Sequence, residues 1–251
     1  MLADSPRAEL TPSITIRDES IIALPTAHTK RMHVPDGFLD PWVAGLFWLA
    51  SGVAIGVAVR RARDELGDER TPLLGVVAAG VFAAQMLNWP IPGGTSAHFV
   101  GGAFAGVLLG PSLGVLAMTA VVTIQALVFG DGGIVALGIN LFAMAVVDVL
   151  VGYALFRGLR GFHRTGAAFA AGWGAITCSA LVVALGVGAS DAFAYRLGVT
   201  VPVMVGGHAL LGVVEGAITA AVYGAVANAR PDLVLGGAPV GEDALAREVE
   251  A

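Results

Sequence analysis

Charged residues are scarce in this sequence. Of its 251 residues, 13% are Asp, Glu, Lys or Arg and 56% are hydrophobic, whereas a soluble globular domain carries about 25% charged residues. This shortage excludes an ordinary soluble fold. The net charge is -5, and the sequence shows no footprint of nucleic-acid binding. The composition therefore predicts an integral membrane protein that lies in a lipid bilayer and has no nucleic-acid partner.

Lysine and cysteine are nearly missing, and several catalytic motifs are absent. Cys178 is the single cysteine, so the chain can form neither an internal disulfide nor a thiolate metal cluster. Lys30 is the single lysine, and no G-x-x-x-x-G-K-[ST] loop for nucleotide phosphates is present. The sequence also lacks the H-E-x-x-H motif of zinc metalloproteases. We therefore expect a protein that is not an enzyme and has no permanently bound cofactor.

What the sequence does contain is a series of apolar runs. About 20 apolar residues span a bilayer as an α-helix, and seven runs approach or reach this length. The third run is short and ends at Gly110-Pro111, where the chain either kinks within one long helix or turns between two. The runs are 41–59, 72–87, 98–109, 111–129, 134–156, 166–188 and 201–227.

The distribution of basic residues favours the turn, because cytoplasmic loops collect Lys and Arg. With seven crossings, one side holds nine arginines and the other, counted from Met32, holds Arg196 alone; with six crossings the split is five to five. We therefore predict an all-α bundle of seven transmembrane helices in the cytoplasmic membrane, with the N-terminus outside and the C-terminus inside. The nine arginines are Arg60, Arg61, Arg63, Arg70, Arg157, Arg160, Arg164, Arg230 and Arg247.

Residues 1–31 form a polar leader that lacks the apolar core of a signal peptide. Its basic residues would place positive charge on the outer side; they are Arg7, Arg17, Lys30 and Arg31. The leader is either a disordered extension or the result of a start assigned upstream of the true one at Met32, and we favour the second interpretation. The predicted organisation is a leader 1–31, a membrane domain 32–228 and a cytoplasmic tail 229–251.

The pair Met32-His33 gains a chemical use if the chain begins at Met32. Its α-amine, the His33 amide nitrogen and the His33 Nδ1 can then hold one ion in a plane. A fourth nitrogen completes a square-planar or tetragonal field, which suits Ni(II) or Cu(II) and which low-spin Co(II) also accepts. The amine, with an ordinary pKa of about 8, must lose its proton to bind. His98, in the proline- and glycine-rich loop 88–102, is the expected fourth ligand.

These residues lie in segments that resemble a known family. The segments "MHVPDGFLDPWV", "NWPIPGGTSAHFVGG", "GPSLGVLAMTAVVTIQALVFGDGG" and "HALLGVVEGAIT" are similar to those of the CbiM/NikM family. Its members are the substrate-capture membrane subunits of energy-coupling-factor transporters for cobalt and nickel. The resemblance implies that Met32, His33 and His98 hold the metal, within a seven-helix bundle into which the N-terminal segment inserts.

The resemblance also implies partners that supply the energy this chain lacks. They are a transmembrane coupling subunit, a pair of ATPase subunits and often a small accessory membrane protein. The expected function is ATP-driven import of a divalent transition metal. We favour Co(II), because the segments look closer to the CbiM branch, and keep Ni(II) as the alternative cargo.

Some polar residues near the metal-binding segments have less certain roles. Pro35-Asp36-Gly37 predicts a turn that Asp36 caps or closes, and direct metal ligation by Asp36 is less favoured. His208 and Glu215 are seven residues apart and so share a face of the last helix. Glu215 is predicted to orient His208, and His208 to orient a metal ligand; a helix-packing pair is the alternative.

Asp148 and Asn140 raise the same question for the fifth run, and Gln125 is expected to bond to a neighbouring helix. Ionisable residues within a membrane are functional candidates. An ion-coupled secondary transporter that uses Asp148, Glu215 and His208 as a proton path is therefore an alternative hypothesis. It is less favoured because the sequence shows no inverted repeat of the kind such transporters contain.

Overall fold

The computed structural model describes residues 32–67, 70–86, 88–91 and 95–234. The predicted leader 1–31 lies outside these residues, as does most of the predicted tail 229–251. Both predictions therefore stay predictions.

The described residues form eight α-helices and one short β-hairpin. In chain order they are α1 (Pro41–Ala62), α2 (Arg70–Gln85), β1 (Asn88–Ile91), β2 (Thr95–His98), α3 (Gly102–Leu109), α4 (Pro111–Val128), α5 (Leu137–Leu141), α6 (Asp148–Leu159), α7 (Arg164–Gly188) and α8 (Leu197–Ala229). A π-helical stretch, Phe142–Val147, joins α5 and α6 into one continuous helix. A 3-10 turn, Pro231–Leu233, follows α8.

Five of these helical spans are long and apolar enough to cross a membrane. They are Pro41–Ala62, Pro111–Val128, Leu137–Leu159, Arg164–Gly188 and Leu197–Ala229. Together they define a multi-pass membrane protein, as the composition predicts. The other two predicted crossings correspond to shorter helices: α2 has 16 residues and α3 has 8 residues. At about 1.5 Å per residue, α3 is far shorter than the bilayer core of about 30 Å.

At Gly110-Pro111 the chain turns between two helices, as the arginine distribution favours. Gly110 has φ 86° and ψ 173°, which ends the helical path of α3. Pro111 begins α4. A backbone N–H at this first helical position has no partner within the helix, so proline, which lacks an N–H, is well tolerated there. A Cβ added at Gly114 would lie 3.1 Å from the Gly106 Cα, so α3 and α4 pack closely against each other.

The prediction that the third helix begins at His98 is wrong. His98 ends strand β2, which pairs antiparallel with β1 so that Asn88 lies opposite His98. The helix begins at Gly102 instead, because Gly101 has φ 77° and a right-handed helix cannot pass through that conformation. Apart from this hairpin, the regular structure of the described residues is helical.

Small residues allow the central helices to approach closely. A Cβ added at Gly152 in α6 would lie 2.5 Å from the Ala103 Cα in α3, and one at Gly172 in α7 would lie 3.0 Å from the Gly216 Cα in α8. The short helix α3 is buried along nearly its whole length. Its neighbours therefore shield it, and the segment just before it, which carries His98, lies inside the molecule.

Candidate metal centre

The N-terminal segment 32–36 docks on the residues that precede and begin α5. The Met32 backbone nitrogen donates to Asp131 Oδ1 at 2.7 Å. The Val34 nitrogen donates to Asn140 Oδ1, and Asn140 Nδ2 donates back to the Val34 carbonyl, both at 3.1 Å. The Gly133 nitrogen donates to the same carbonyl at 2.9 Å. The role of Asn140 is thus to hold the backbone next to His33.

The predicted turn at Pro35-Asp36-Gly37 is confirmed, and Gly37 has φ 92°. Asp36 caps free N–H groups, but those of a distant segment: its carboxylate oxygens accept from the Ile134 and Ala136 nitrogens, each at 3.1 Å. One carboxylate thereby fastens the turn to the entry of α5.

Gly132 brings the docking loop against His33. Gly132 has φ 95°, and a Cβ added there would lie 2.9 Å from the His33 Cβ and 3.1 Å from Asn140 Nδ2. A side chain at this position would combine backbone strain with a steric overlap. The loop can therefore follow the N-terminal segment this closely only with glycine.

The structure brings the three predicted ligands together. The ring centroids of His33 and His98 are 5.3 Å apart, with the rings perpendicular at 89°. His98 Nδ1 lies 2.9 Å from the Phe99 carbonyl, and the ring also has a hydrogen-bonding interaction with the backbone of Met32. Both histidines are buried. Met32, His33 and His98 thus form one cluster, although they come from separate parts of the chain.

The orientation of His33 differs from that of the predicted chelate. Its Nδ1 lies 3.3 Å from the Asp131 carbonyl and 3.6 Å from Asp131 Oδ2. Within the described residues, His33 Nε2 and Asp131 Oδ2 are buried without a hydrogen-bond partner. An ion bound by His33 Nδ1 would therefore have to replace the contact with Asp131.

Burial keeps both imidazoles neutral. Desolvation lowers the pKa of His33, and the neighbouring Asp131 only partly opposes this. The pKa of His98 is lowered to about 3, chiefly by burial and further by His33 and His208 nearby. A neutral imidazole has a free lone pair for a metal ion, so neither ring needs to lose a proton at neutral pH.

Glu215 and His208 make hydrogen bonds different from those expected. Glu215 Oε2 accepts from the Val100 nitrogen at 3.0 Å, and Oε1 accepts from the Gly101 nitrogen at 2.8 Å. His208 Nδ1 instead lies 2.8 Å from the Met204 carbonyl, within its own helix. Glu215 therefore contacts the chain that follows His98 and is not seen to bond to His208 in the described residues.

Asp148 and Gln125 also have identifiable partners. Asp148 Oδ1 accepts from the Ala103 nitrogen at 2.8 Å, at the start of α3. Gln125 Nε2 donates to Gln85 Oε1 at 2.8 Å, which confirms the expected bond between neighbouring helices. Asp148 and Glu215 thus both have a structural explanation, which weakens the proton-path hypothesis.

Two residues of the site were missed at the sequence level. Asp131 contacts both Met32 and His33, and its only signal in the sequence is an acid placed between two glycines. Gln85 donates to the Val100 carbonyl and is buried; its signal is a polar residue at the end of an apolar run. Neither signal identifies the residue that the side chain contacts, because both contacts join residues that are separated along the chain.

No group of three or more His, Cys, Asp or Glu side chains suited to a metal ion occurs in the part of the chain that the structure describes. The predicted centre contains only two such side chains, those of His33 and His98, since its other donors are backbone nitrogens. Its chemistry is therefore that of a small, nitrogen-only site.

The spans define a multi-pass membrane protein, in which a buried histidine pair lies beside the N-terminal segment. A family model described as "Cobalt uptake substrate-specific transmembrane region" matches residues 33–233, so the chain belongs to the CbiM family.

Named relatives and a solved structure are similar over most of the chain. A protein of Haloquadratum walsbyi, whose name describes a metal transport protein, is 79% identical over 81% of this chain and 93% of its own length. A protein of Archaeoglobus fulgidus named as a fused nickel transport protein, NikMN, is 56% identical over 86% of this chain and 72% of its own length. A crystal structure described as a transition metal transporter is 32% identical, with a TM-score of 0.75, over 79% of this chain and 93% of that chain.

Proposed function

We propose that this chain is the substrate-capture membrane subunit of an energy-coupling-factor importer for a divalent transition metal. The ion is cargo: it is captured outside and released inside when ATP hydrolysis in partner subunits moves the bundle. The observation that carries the proposal is the 5.3 Å separation of the His33 and His98 rings beside Met32, in a chain of the CbiM family.

Four nitrogens hold the ion in this proposal. They are the Met32 amine, the His33 amide and Nδ1, and the His98 imidazole. A first-row ion bonds imidazole nitrogen at about 2 Å, so two rings with centroids 5.3 Å apart can share one ion once the His33 ring turns. The amine requires a functional chain that begins at Met32. Before metal binds, Asp131, 2.7 Å from this nitrogen, would accept a hydrogen bond from the protonated amine.

The proposed topology has seven crossings, with Met32 outside and the C-terminus inside. The excess of arginine on one side supports it, as does the turn between α3 and α4. The proposed partners are a transmembrane coupling subunit, a pair of ATPase subunits and a small accessory membrane protein. This chain has no P-loop of its own to bind ATP.

Two cargoes fit the nitrogen donors. The description of the matching family names cobalt uptake, which favours Co(II). The name of the Archaeoglobus fulgidus relative, at 56% identity, favours Ni(II). Nitrogen sites bind Ni(II) intrinsically more tightly than Co(II), so uptake with both ions present, in addition to affinity, must be measured to distinguish them.

Metal titration of purified protein tests the site. We expect the chain beginning at Met32 to bind Ni(II) and Co(II) with at least about tenfold higher affinity than the full chain, which corresponds to about 1.4 kcal/mol. Acetylation of the amine, or His98→Ala, should each remove at least as much affinity. His163→Ala is the matched control, because His163 is exposed and caps α7 through a bond from Gly166. If either acetylation or His98→Ala leaves the affinity unchanged, the proposed site is wrong.

Transport assays distinguish the proposal from the ion-coupled alternative. Uptake by the chain with its partners should stop when ATP is depleted and persist when an uncoupler is added. Uptake that collapses with the uncoupler while ATP stays high would support the secondary transporter instead.

A further inference from the structure

The backbone that follows His98 is held by side chains from several helices. Glu215, on α8, accepts from two consecutive backbone nitrogens: that of Val100 at 3.0 Å and that of Gly101 at 2.8 Å. Asp148, on α6, accepts from the Ala103 nitrogen at 2.8 Å. Both carboxylates bind main-chain atoms within five residues of His98.

These carboxylates are almost completely removed from solvent. Glu215 is 2% exposed and Asp148 is 0% exposed. A buried carboxylate is costly unless hydrogen bonds compensate for its lost hydration. Each therefore depends on the backbone N–H groups that it accepts from, and these groups depend on it.

A third helix contacts the same backbone from its carbonyl side. Gln85, on α2, donates from Nε2 to the Val100 carbonyl. Gln85 is held in turn by Gln125 on α4, which donates to its Oε1 at 2.8 Å. Val100 is thus fixed at its nitrogen by α8 and at its carbonyl by α2.

The backbone between His98 and the start of α3 has little conformational freedom. Gly101 has φ 77°, and a Cβ added at Gly102 would lie 2.6 Å from Asp148 Oδ1. His98 is two residues before Val100 and is buried. A displacement of Val100 or Gly101 must therefore be carried back to the His98 imidazole.

We propose that Glu215 is a positioning residue for metal capture: by fixing Val100 and Gly101 it sets the location of the His98 ring relative to Met32 and His33. This inference rests on the proposed function, in which His98 is a ligand. Glu215 itself does not touch the ion. Asp148 supports the same backbone one turn further on.

A double-mutant cycle tests this role in the form of the chain that binds metal. Glu215→Gln preserves size but replaces one acceptor oxygen with a donor that faces a backbone N–H. We expect it to lower Ni(II) affinity about tenfold or more, as residues that orient ligands do. In the His98→Ala background the same change should cause no further loss. The ligand-field absorption of bound Ni(II) in Glu215→Gln should shift towards that of His98→Ala.

Asp36→Asn is the matched comparison. Asp36 also accepts from two backbone nitrogens, those of Ile134 and Ala136, but it anchors the N-terminal segment. Its effect on affinity should persist in the His98→Ala background. If Glu215→Gln does not fold, Gln85→Met, which removes the donor to the Val100 carbonyl, takes its place in the cycle.

The outcomes separate the two proposals. If His98→Ala alone leaves the affinity unchanged, the proposed function fails. If His98→Ala lowers the affinity, but Glu215→Gln lowers it equally in both backgrounds or not at all, the metal site stands and the positioning role of Glu215 is overturned.

Discussion

The segment 32–36 is held by one continuous stretch of chain, whereas the backbone that follows His98 is held by three helices, one of which, α6, continues from that stretch. Apart from the interaction of Met32 with His98, the hydrogen bonds of segment 32–36 seen among the described residues go to one continuous stretch, residues 131–140. The chain after His98 is instead held by side chains from α2, α6 and α8. The N-terminal donors therefore keep their places as long as one loop is intact, whereas the place of His98 depends on how the helices are arranged.

Under the proposed function, this difference indicates which ligand would respond to movement of the bundle. A shift of α8 relative to α5 would displace Glu215 and the backbone that it holds, while the segment 32–36 would stay with α5. Movement of this kind would separate the His98 imidazole from the other donors. Release of the ion would then begin at His98.

The largest expected effect comes from breaking the N-terminal side at Gly132. In Gly132→Ala, the new Cβ would meet the His33 Cβ at 2.9 Å, and we expect Ni(II) affinity to fall by about 100-fold. Gly130→Ala is the control, because Gly130 also has a positive φ, 65°, but no atom lies within 4 Å of its added Cβ. Both variants carry backbone strain of about 1–2 kcal/mol. Equal affinities of the two variants, measured by titration, would contradict docking of His33 against this loop.

A second, smaller effect concerns the pH dependence of the His98 side. The pKa of His98 is lowered from 6.5 to about 3 in the folded protein. Between these values the unfolded chain binds a proton that the folded chain does not, so stability is lost as the pH falls. From pH 7 to pH 5 the loss at this site is about 2 kcal/mol.

Thermal unfolding of the metal-free protein in detergent, followed by circular dichroism at the two pH values, measures this loss. His98→Gln should show a smaller drop in melting temperature between pH 7 and pH 5. Part of the drop should remain, because the pKa of His33 is also lowered. An equal drop in the variant and the unmodified chain would show that His98 does not titrate as its burial implies.

The smallest expected effect is that of Asn140→Ala on the N-terminal side. It removes both bonds to the Val34 backbone and leaves an N–H and a carbonyl partly unpaired, which costs about 1–3 kcal/mol. We expect Ni(II) affinity to fall about tenfold. Thr177→Ala is the control, since its hydroxyl donates to the Trp173 carbonyl in its own helix. Unchanged affinity in Asn140→Ala would show that the remaining bonds suffice to dock the segment.

The helices could be predicted from the sequence because a chain in lipid must pair its backbone groups locally, so a long apolar run becomes a helix. Met32, His33 and His98 could be singled out because their chemistry is visible in the residue types. The start of α3 could not, since it depends on Gly101 and on Asp148, which bonds to the backbone from a distant helix. Asp131 was missed for the same reason: an acid between glycines does not reveal which nitrogen it accepts from.

The π-helical stretch Phe142–Val147 determines the relative directions, around the helix axis, of two polar side chains that flank it. Asn140 and Asp148 are eight residues apart, and in a regular α-helix that spacing would rotate one about 80° away from the other. The wider turn absorbs about one extra residue, so the spacing becomes close to two whole turns. One continuous helix can then hold both parts of the proposed metal site. Asn140 bonds to the chain next to His33, and Asp148 bonds to the chain beyond His98. If the same eight-residue spacing were wound as a regular α-helix, Asn140 and Asp148 would face different sides of it, and one helix could no longer hold both segments.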